Sequence, residues 1–584
     1  RKTHKKSSNG QDFIGNIFEN GSDLSENRQI TQYKTLELRC GYSERNHGYI
    51  NPCQEIIEDK LPSYGDRDDS RTYKPVKFQP IDPTPNFEAW KCNIKLEVEF
   101  EGKYMTTENN LESFDDETIV EFKYDASKPK HWQWIPIRVR YDKTADYKKG
   151  LPNYGNAFHV AQSVWRSIHN PITVEMLSTG NDIPSEIVDE DVYYNSRDTT
   201  ITQSLRNFHN LYVKKKLING ASIRGGTIID FAVGKAGDLP KWISSKQSFV
   251  FGIDISPDNI ENRKDGACAR YLNMRKKFRS VPKALFTIGN SSRNIRSGEA
   301  SLTEKSKQIT QAIFGYGTHD EEVLGRGVYN QFGKGETGFD LVSVQFAMHY
   351  FFEDHLTLQN FVRNISECCK VNGHFIGTCY DGLKVFRALE NKKMGEKIVI
   401  MDGKQKMWEV TKQYDRDTFE NNPSCLGYQI DVYQESINKI FSEYLVNFDY
   451  FIRVMENYGL IPISREEAKE MKLPNAIGSF EELFIQMKTE IKERRLREGN
   501  VGDAVNMTER EKRVSFLNNY FVFKKVRDVD AEAVYKTNIG VEINNSIKEE
   551  ETVIAETVIE TPVEQTQSKR KTKKRKKRVK IVKQ

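Results

Sequence analysis

Runs of apolar, β-branched residues mark the second half of the chain. The clearest is Thr227–Trp242 (TIIDFAVGKAGDLPKW), where the run leads into the small-residue turn Gly234–Gly237 and then to Asp238, at a helix N-cap position. Strand, tight turn and helix N-terminus in this order bring backbone N–H groups up to a ligand in a doubly wound sheet. The next run, Ser248–Ile255, predicts a parallel strand that places Asp254 at its carboxyl end.

The same alternation of buried strand and amphipathic helix continues to about residue 526. An amphipathic helix is predicted from Ser204, with Leu205, Phe208 and Leu217 on its apolar side. The further strands that we predict are Leu285–Asn290, Phe339–Phe352, Gly373–Asp381, Tyr444–Val446 and Asn519–Val526. This pattern is typical of a doubly wound α/β domain, which we place at residues 200–528.

The first part of the chain has a different pattern, with short strands separated by turn residues and prolines. The predicted strands are Thr35–Arg39, Val76–Phe78, Cys92–Phe100, Thr118–Tyr124 and Ile135–Tyr141. Such close spacing favours a small barrel or sandwich, at residues 31–170. Around these two domains we predict a polar linker (1–30), a connector (171–199) and a disordered tail (529–584). The fold class is therefore multidomain α+β.

The tail differs from the rest of the chain in its charge. The chain of 584 residues carries a formal charge of +5, and ten Lys and Arg lie in residues 569–580, so the rest of the chain has a charge of −5. Such a run is typical of a solvated arm, and contact with RNA phosphates or a localisation signal are the functional alternatives. The first residue is Arg1, which suggests a fragment of a longer protein.

Cysteine spacing and hydropathy exclude several classes of protein. The eight cysteines form no C-x-x-C pair, so the sequence predicts neither a metal site nor a disulfide framework, and it favours a reducing compartment. No run of eighteen apolar residues is present, and we expect no membrane-spanning segment.

Polar residues at strand ends are the candidate site. Asp254 lies about twenty positions after the turn, where an acidic residue binds a ribose diol. Gln345, His349 and Tyr350 follow a nearly all-apolar run, at the crevice where doubly wound sheets bind ligands. A histidine after a buried strand is also common as a structural residue, and both interpretations stay open at this point.

Two arginines in the β-rich domain suggest a second site. Arg138 and Arg140 are two positions apart in a predicted strand and therefore share a face, with Lys143 just beyond. Paired cations on one face suit a phosphate group. The alternative is the solvated face of an antiparallel sheet.

The motif W-x-P-x-R-x-R-x-D-K-T at Trp134–Thr144 resembles the last motif of the mRNA guanylyltransferases, which lies on their oligonucleotide-binding-fold (OB) domain. With its flanking segments, it is similar to the mRNA capping enzymes of large nucleocytoplasmic DNA viruses. The resemblance implies an OB-like β-barrel in which Arg138, Arg140 and Lys143 close over the triphosphate of GTP. The K-x-D-G motif that carries the covalent nucleophile of that family does not occur, so guanylyl transfer by this chain is not favoured.

Residues 200–526 resemble the cap guanine-N7 methyltransferases, a Rossmann-like fold. The motifs that carry this resemblance are RNFHN at 206–210, DFAVGKAGDLPKW at 230–242, IDIS at 253–256, RYLNM at 270–274, QFAMHYFFE at 345–353, EYLV at 443–446 and YFVF at 520–523. The resemblance implies that S-adenosylmethionine (SAM) binds near Lys214, Ala232, Gly234, Asp254, Asn290, Gln345 and Tyr350. It places the cap near Asn210, Lys235, Lys241, Arg270, His349, Glu443 and Tyr520.

The sequence departs from this family at several positions. Ala232 and Ala236 replace glycines, and Asn290 replaces the carboxylate expected beside adenine. The Asn210–Lys214 region aligns after a one-residue shift. We interpret these changes as a weakened or retuned cofactor site.

The expected function is transfer of a methyl group from SAM to guanine N7 of the GpppN cap. Guanine N7 carries a lone pair and no proton, so the reaction needs no general base, and Glu443, His349 and Tyr520 are expected to position the cap.

The expected partners are capped or 5′-triphosphate mRNA, and GTP, which would bind through the barrel domain. An activating subunit is left open. A non-catalytic RNA-binding scaffold is the competing hypothesis. The resemblance implies the host cytoplasm or viral factory as the compartment, with the virion as a second one.

Overall fold

The computed structural model describes residues 11–24, 30–66, 74–80, 88–99, 102–109, 111–151, 155–179 and 201–540. Residues up to Val529 form one compact unit, and a second unit begins at Asp530. Within the described ranges, no helix combines the length and the apolar character needed to cross a membrane.

Eight antiparallel strands form the first sheet. They are β1 (Gln11–Leu24), β2 (Ile30–Tyr42), β3 (Lys74–Lys77), β4 (Lys91–Glu99), β5 (Gly102–Thr106), β6 (Ser113–Phe114), β7 (Thr118–Tyr124) and β8 (Trp134–Val139). Their order is β6-β5-β4-β2-β1-β7-β8, and β3 pairs with the end of β2. Each of the five predicted strands of this region has a counterpart, and β7 has the predicted bounds, but β8 ends at Val139 and not at Tyr141, and Phe100 lies outside the described residues.

The predicted polar linker is wrong for residues 11–24. These residues form β1, which pairs with both β2 and β7 and so lies inside the sheet. Backbone hydrogen bonds to two neighbours can hold a strand whatever its side chains are, which polar composition alone does not show. Residues 1–10 and 25–29 lie outside the described residues.

The first sheet curls around an aromatic core. Trp134 of β8 donates from its indole Nε1 to the carbonyl of Ala89 at 2.8 Å, just before β4. Trp165, from the helix Phe158–His169, packs against Phe78 and Trp134 with ring centroids 6.0 and 6.2 Å apart. The strand pairs in the described ranges run from β6 to β8 without closing a ring, so the barrel stays a prediction.

The described residues before position 180 form five α-helices. They are α1 (Glu44–His47), α2 (Pro52–Ile57), α3 (Tyr141–Lys148), α4 (Phe158–His169) and α5 (Val174–Thr179). Residues 180–199 of the predicted connector lie outside the described residues, and α5 occupies part of the remainder.

The second sheet carries the doubly wound topology predicted from the sequence. Its strands are β9 (Thr227–Asp230), β10 (Phe249–Asp254), β11 (Lys283–Ile288), β12 (Phe339–Gln345), β13 (Cys369–Tyr380), β18 (Leu460–Pro462), β19 (Ile477–Ser479) and β20 (Asn518–Lys525). The order is β11-β10-β9-β12-β13-β20-β18, and β19 also pairs with β20. The first five strands run parallel, and β20 is antiparallel to β13. The strand order reverses between β9 and β12, which creates a crevice at their carboxyl ends.

Two strand predictions in this half need correction. The run Phe339–Phe352 is a strand only to Gln345, because Phe346 takes a left-handed backbone conformation (φ 58°) and the chain continues as a 3-10 helix, Met348–Phe352. Tyr444–Val446 is not a strand of the main sheet. Tyr444 ends β17 of a separate antiparallel sheet, ordered β14 (Lys397–Asp402), β15 (Gln405–Lys412), β16 (Gln429–Gln434) and β17 (Lys439–Tyr444).

The helices of the second half flank the main sheet and connect its strands. They are α6 (Gln203–Asn207), α7 (Lys214–Ala221), α8 (Leu239–Ser244), α9 (Pro257–Glu261), α10 (Ala267–Lys277), α11 (Glu304–Ile313), α12 (Glu321–Leu324), α13 (Arg326–Tyr329), α14 (His355–Cys368), α15 (Gly382–Ala388), α16 (Phe448–Asn457), α17 (Arg465–Glu470), α18 (Phe480–Lys492) and α19 (Glu509–Ser515). A π-helix, Phe208–Val213, joins α6 to α7, so the predicted amphipathic helix is confirmed in three consecutive segments.

The predicted disordered tail is wrong at its beginning. Residues 531–540, which belong to the second unit, are helical. Residues 541–584, including the basic run at 569–580, lie outside the described residues.

Candidate active site

The turn after β9 leaves open space at the switch-point crevice. Gly234 has a left-handed backbone (φ +53°), and a Cβ built there would meet nothing within 4 Å. Ala236 also takes a left-handed conformation (φ 51°), which costs a residue with a side chain about 1–2 kcal/mol. Ala236, which is buried and stands where the family has a glycine, therefore carries backbone strain that a glycine would avoid.

Asp254 closes this turn from the end of β10. Its carboxylate accepts hydrogen bonds from the Gly234 N–H (2.7 Å), the Ser256 N–H (3.0 Å) and the Asn259 side-chain amide (2.9 Å). A carboxylate offers about four acceptor positions, so one remains for a ligand hydroxyl. Burial raises the pKa of Asp254, and these three donors oppose that rise.

Gln345 ends β12 and Asn290 follows the end of β11, and hydrogen bonds orient the side-chain amide of each. Gln345 donates to the Ser343 hydroxyl (3.3 Å) and accepts from the Thr378 hydroxyl (3.1 Å). The side-chain oxygen of Asn290 accepts from the backbone N–H (2.9 Å) and hydroxyl (2.6 Å) of Ser292. The NH₂ group of Asn290 is the part of this side chain that Ser292 does not engage.

The 3-10 helix after β12 brings a histidine to the end of β17. The Nδ1 atom of His349 lies 3.6 Å from a carboxylate oxygen of Glu443, and both residues are buried. In the described part of the chain, both ring nitrogens of His349 and one oxygen of Glu443 lack a hydrogen-bond partner. The ring of Tyr350 packs edge-on against His349 at 4.3 Å.

Burial makes both members of this pair neutral near pH 7. It raises the pKa of Glu443 to about 8 and lowers the pKa of His349 to about 3. A buried polar group without a partner costs about 1–3 kcal/mol, so the arrangement favours a ligand that supplies partners to both side chains.

Lys214 and Lys241 share one buried carboxylate. Asp238 lies 3.0 Å from the Lys214 ammonium and 2.9 Å from that of Lys241. Burial acts to raise the pKa of Asp238, but the two ammonium groups outweigh it and hold this pKa well below the usual range. Asp238 is the N-cap residue of α8, yet its side chain forms no capping hydrogen bond and pairs with both lysines instead.

Lys235 has two carboxylate partners. Its ammonium lies 2.9 Å from Asp258 and 3.0 Å from Asp265, and Asp265 also lies 4.0 Å from Arg270. The Lys235 side chain is buried, whereas that of Arg270 is 37% exposed. These cations are therefore held beside the crevice by acidic groups that an incoming phosphate could replace.

Two of the predicted cap residues have unexpected surroundings. Asn210 lies in the π-helix and donates to the carbonyl of Arg206 at 3.0 Å. Tyr520 is fully buried, and its hydroxyl donates to the carbonyl of Asn475 (3.1 Å), so contact with a cap would require the Asn475 segment to move.

The same-face argument for the two arginines of the β-rich domain is wrong. Strand β8 ends at Val139, so Arg140 precedes α3 and Lys143 lies on that helix. Arg138 is bonded to Glu121, and Arg140 lies 3.4 Å from Asp142. Each arginine therefore already has a carboxylate partner.

Sequence reasoning missed the residues that orient the site. Asp238, Asp258 and Asp265 hold the lysines, and Ser343 and Thr378 hold Gln345. The buried carboxylate of Asp230, which accepts from the Ala232 N–H at 3.2 Å, was also missed. Asp238 was assigned only as a helix cap. A carboxylate three residues before a lysine in the same turn was the available signal for its second role.

In the described ranges, no cluster of His, Cys, Asp and Glu has the geometry of a metal site.

Two protein-family models match this chain, one in each of its two domains. The family model for the mRNA (guanine-N(7))-methyltransferase domain matches residues 188–526, and that for the C-terminal domain of mRNA capping enzymes matches residues 69–178. Both parts of the resemblance found in the sequence are thus confirmed.

Individual relatives agree with these matches. A probable mRNA-capping enzyme of Acanthamoeba polyphaga mimivirus is 28% identical over 76% of this chain, and the chain covers 39% of that protein. The mRNA cap guanine-N(7) methyltransferase of Candida glabrata is 27% identical over 61% of this chain and 76% of its own length.

Among solved structures, a putative S-adenosylmethionine dependent methyltransferase from Listeria monocytogenes matches with a TM-score of 0.28 and 11% identity, covering 55% of this chain and 98% of its own. A score this low supports no argument. The family-model match covers more than half of the 584 residues, so the chain belongs to the mRNA (guanine-N(7))-methyltransferase family.

Proposed function

We propose that this protein transfers the methyl group of SAM to guanine N7 of an mRNA cap. The observation that carries the proposal is the buried His349–Glu443 pair at the crevice, with its unpartnered polar atoms. Guanine presents N1–H and N2–H as donors beside the O6 acceptor. Glu443 would accept from the two donors, and an N–H of His349 would donate to O6.

The residues around the β9 turn suit SAM. Open space lies beside Gly234, and Asp254 keeps one acceptor position for a ribose hydroxyl. Asn290 would present an amide to the adenine, and Gln345 at the end of β12 and Tyr350 in the following 3-10 helix would also contact the cofactor. The bound cofactor supplies an electrophilic methyl group on a sulfonium. The roles of Lys214 and Ala232 in holding it belong to the same proposal.

Alignment and electrostatics are sufficient for this chemistry. Because guanine N7 already has a lone pair, the protein has no proton to remove, and it holds the base in line with the methyl group. The guanine N1–H and N2–H become more acidic as N7 gains the methyl, so their hydrogen bonds to Glu443 strengthen in the transition state. Burial of Glu443 magnifies this effect, because the surroundings have a low dielectric.

The lysine and arginine groups beside the crevice fit the cap triphosphate. Lys235, Lys241 and Arg270 are already held in place by carboxylates, so little side-chain entropy is lost when phosphate oxygens join or replace those partners. Asn210 would contact the cap from the π-helix. Tyr520 would join it only if the Asn475 segment moved.

The role of the first domain is also a proposal. We infer an OB-like fold in which Arg138, Arg140 and Lys143 contact the triphosphate of GTP, supported by the match to the C-terminal domain of mRNA capping enzymes. GTP would have to displace Glu121 and Asp142 from the arginines. A cytoplasmic location, in a host cell or viral factory, is proposed from the resemblance to viral capping enzymes, and all eight cysteines in the described residues are free thiols.

The test is incubation of the full chain with GpppG-capped RNA and methyl-labelled SAM, followed by nuclease digestion and identification of the labelled nucleotide. The proposal predicts label in 7-methylguanosine cap. Label at a ribose 2′-oxygen would contradict the proposed target atom. Absence of both transfer and SAM binding would instead favour the RNA-binding scaffold.

A further inference from the structure

A segment of the first domain docks directly onto the methyltransferase domain. Residues 43–66, between β2 and β3, contain α1 and α2, and we call them the docking segment. A Cβ built on Gly327 of α13 would lie 2.1 Å from the carbonyl oxygen of Ile56, so the two backbones touch there. The Cys53 and Cys268 sulfur atoms lie 2.8 Å apart, and Asp59 forms an ion pair with Lys283 at 3.1 Å.

One end of the docking segment rests on the loop 262–266, between α9 and α10. The Tyr49 N–H donates to the carbonyl oxygen of Arg263 at 2.8 Å, and the Tyr49 hydroxyl donates to Asn273 at 3.0 Å. A Cβ built on Gly48 would lie 2.2 Å from the same Arg263 oxygen. Only a glycine allows this approach.

The other side of that loop carries a residue of the cap site. Asp265 lies two residues after Arg263 and contacts Lys235 (3.0 Å) and Arg270 (4.0 Å). The Asn262 side chain accepts from the N–H groups of Lys264 (3.0 Å) and Asp265 (3.2 Å), which makes the loop a closed turn. A displacement of Arg263 is therefore transmitted to Asp265.

We infer that the docking segment is a positioning element for cap binding: Gly48 and Tyr49 set the 262–266 loop, and through Asp265 they set the positions of Lys235 and Arg270. This inference rests on the proposed function. Shifts of about 1 Å in a positioning group are large enough to weaken binding and reaction measurably. The first domain thus acts on cap binding without contacting the cap.

The experiment compares Gly48→Ala with Gly150→Ala in the full chain. Both glycines have a positive φ (+80° and +69°) and lie in the first domain, but Gly48 also has a ψ of −162°, a combination confined almost entirely to glycine, so Gly48→Ala adds backbone strain as well as the contact. Nothing lies within 4 Å of a Cβ on Gly150, whereas Gly48 faces the Arg263 oxygen. We expect Gly48→Ala to raise the KM for GpppA-capped RNA at least fivefold over Gly150→Ala, with kcat changed less than twofold and the SAM Kd unchanged.

A second, milder variant keeps the inference testable if Gly48→Ala does not fold. Tyr49→Phe removes one hydroxyl and its bond to Asn273 while it keeps the ring beneath Lys276, whose ammonium lies 4.9 Å from the ring centroid. We expect a two- to threefold rise in KM for capped RNA. Equilibrium binding of the dinucleotide GpppA, measured without turnover, should weaken in parallel in both variants.

The results separate this inference from the proposed function. Equal KM values for Gly48→Ala and Gly150→Ala, or a SAM Kd that rises together with the KM, would overturn the inference and leave the methyltransferase intact. A wild-type chain that binds GpppA but transfers no methyl group would overturn the proposed function, and weaker GpppA binding by Gly48→Ala would still support the inference. A wild-type chain that neither methylates nor binds GpppA would overturn both.

Discussion

The Glu443 carboxylate and the His349 imidazole face each other at 3.6 Å in a buried pocket, yet they form no hydrogen bond. They come from different sheets, since His349 follows β12 of the doubly wound sheet and Glu443 lies on β17 of the four-stranded sheet. A guanine placed beside this pair would supply hydrogen-bond partners to both side chains, which makes the pair the centre of the proposed cap site.

Replacement of Glu443 by Gln should disable methyl transfer without affecting SAM. The amide keeps the volume but offers one acceptor in place of two and carries no charge. We expect kcat/KM for capped RNA to fall about 30- to 1,000-fold, which corresponds to the loss of about 2–4 kcal/mol from a buried charged hydrogen-bonded pair. The measurements are steady-state kinetics and calorimetric titration of SAM. Glu420→Gln, at an exposed position, is the control, and full activity in Glu443→Gln would remove Glu443 from the site.

The affinity for the cap should depend on pH through Glu443. Burial raises its pKa to about 8 in the free protein, while the guanine N–H donors need the ionised carboxylate. Below pH 8, binding must release this proton, so the KM should fall by about tenfold per unit as the pH rises from 6 to 8 and then level off. His349 stays neutral in this range, because burial lowers its pKa to about 3, and burial keeps the Cys379 thiol protonated. The Glu443→Gln variant should lose the pH dependence, and the same slope in that variant would assign it to another group.

Replacement of Asp238 should lower the free energy of unfolding more than replacement of Asp258. Asp238→Asn leaves the Lys214 and Lys241 ammonium groups together without their carboxylate, and removal of one partner of a buried ion pair costs about 3–5 kcal/mol. Asp258→Asn leaves Lys235 with Asp265, so its cost should be about 1 kcal/mol or less. Chemical denaturation of the two variants measures this difference. An equal decrease in the free energy of unfolding of the two variants would mean that the carboxylate of Asp238, shared by the two lysines, is not what stabilises the turn.

Asp254→Asn should weaken SAM binding. The variant loses the charged acceptor for a ribose hydroxyl, and it turns an amide group toward the Gly234 and Asn259 donors. We expect the SAM Kd to rise about 10- to 100-fold, which corresponds to about 1.4–2.8 kcal/mol. Isothermal titration against wild type gives the value, and Asp258→Asn serves as a neighbouring control. An unchanged Kd would show that Asp254 only closes the turn.

Much of the site could be located from the sequence because it follows buried parallel strands. Asp254, Asn290 and Gln345 lie at strand ends, and a strand buried on both faces leaves a run of apolar residues that is easy to read. Lys235 and Lys241 were found through the turn between β9 and α8. The carboxylate partners of Lys235, at positions 258 and 265, were not, because those contacts cross from one βα unit to the next.

The sequence by itself determined the doubly wound domain, its family and the strand ends that bear the site, because local periodicity and short motifs encode all three. Only the tertiary structure decided that residues 11–24 belong to a sheet, that Glu443 approaches His349 from a separate sheet, and that the docking segment rests on the 262–266 loop. Each of these depends on backbone pairing or packing between distant segments, which leaves no periodic pattern in the chain.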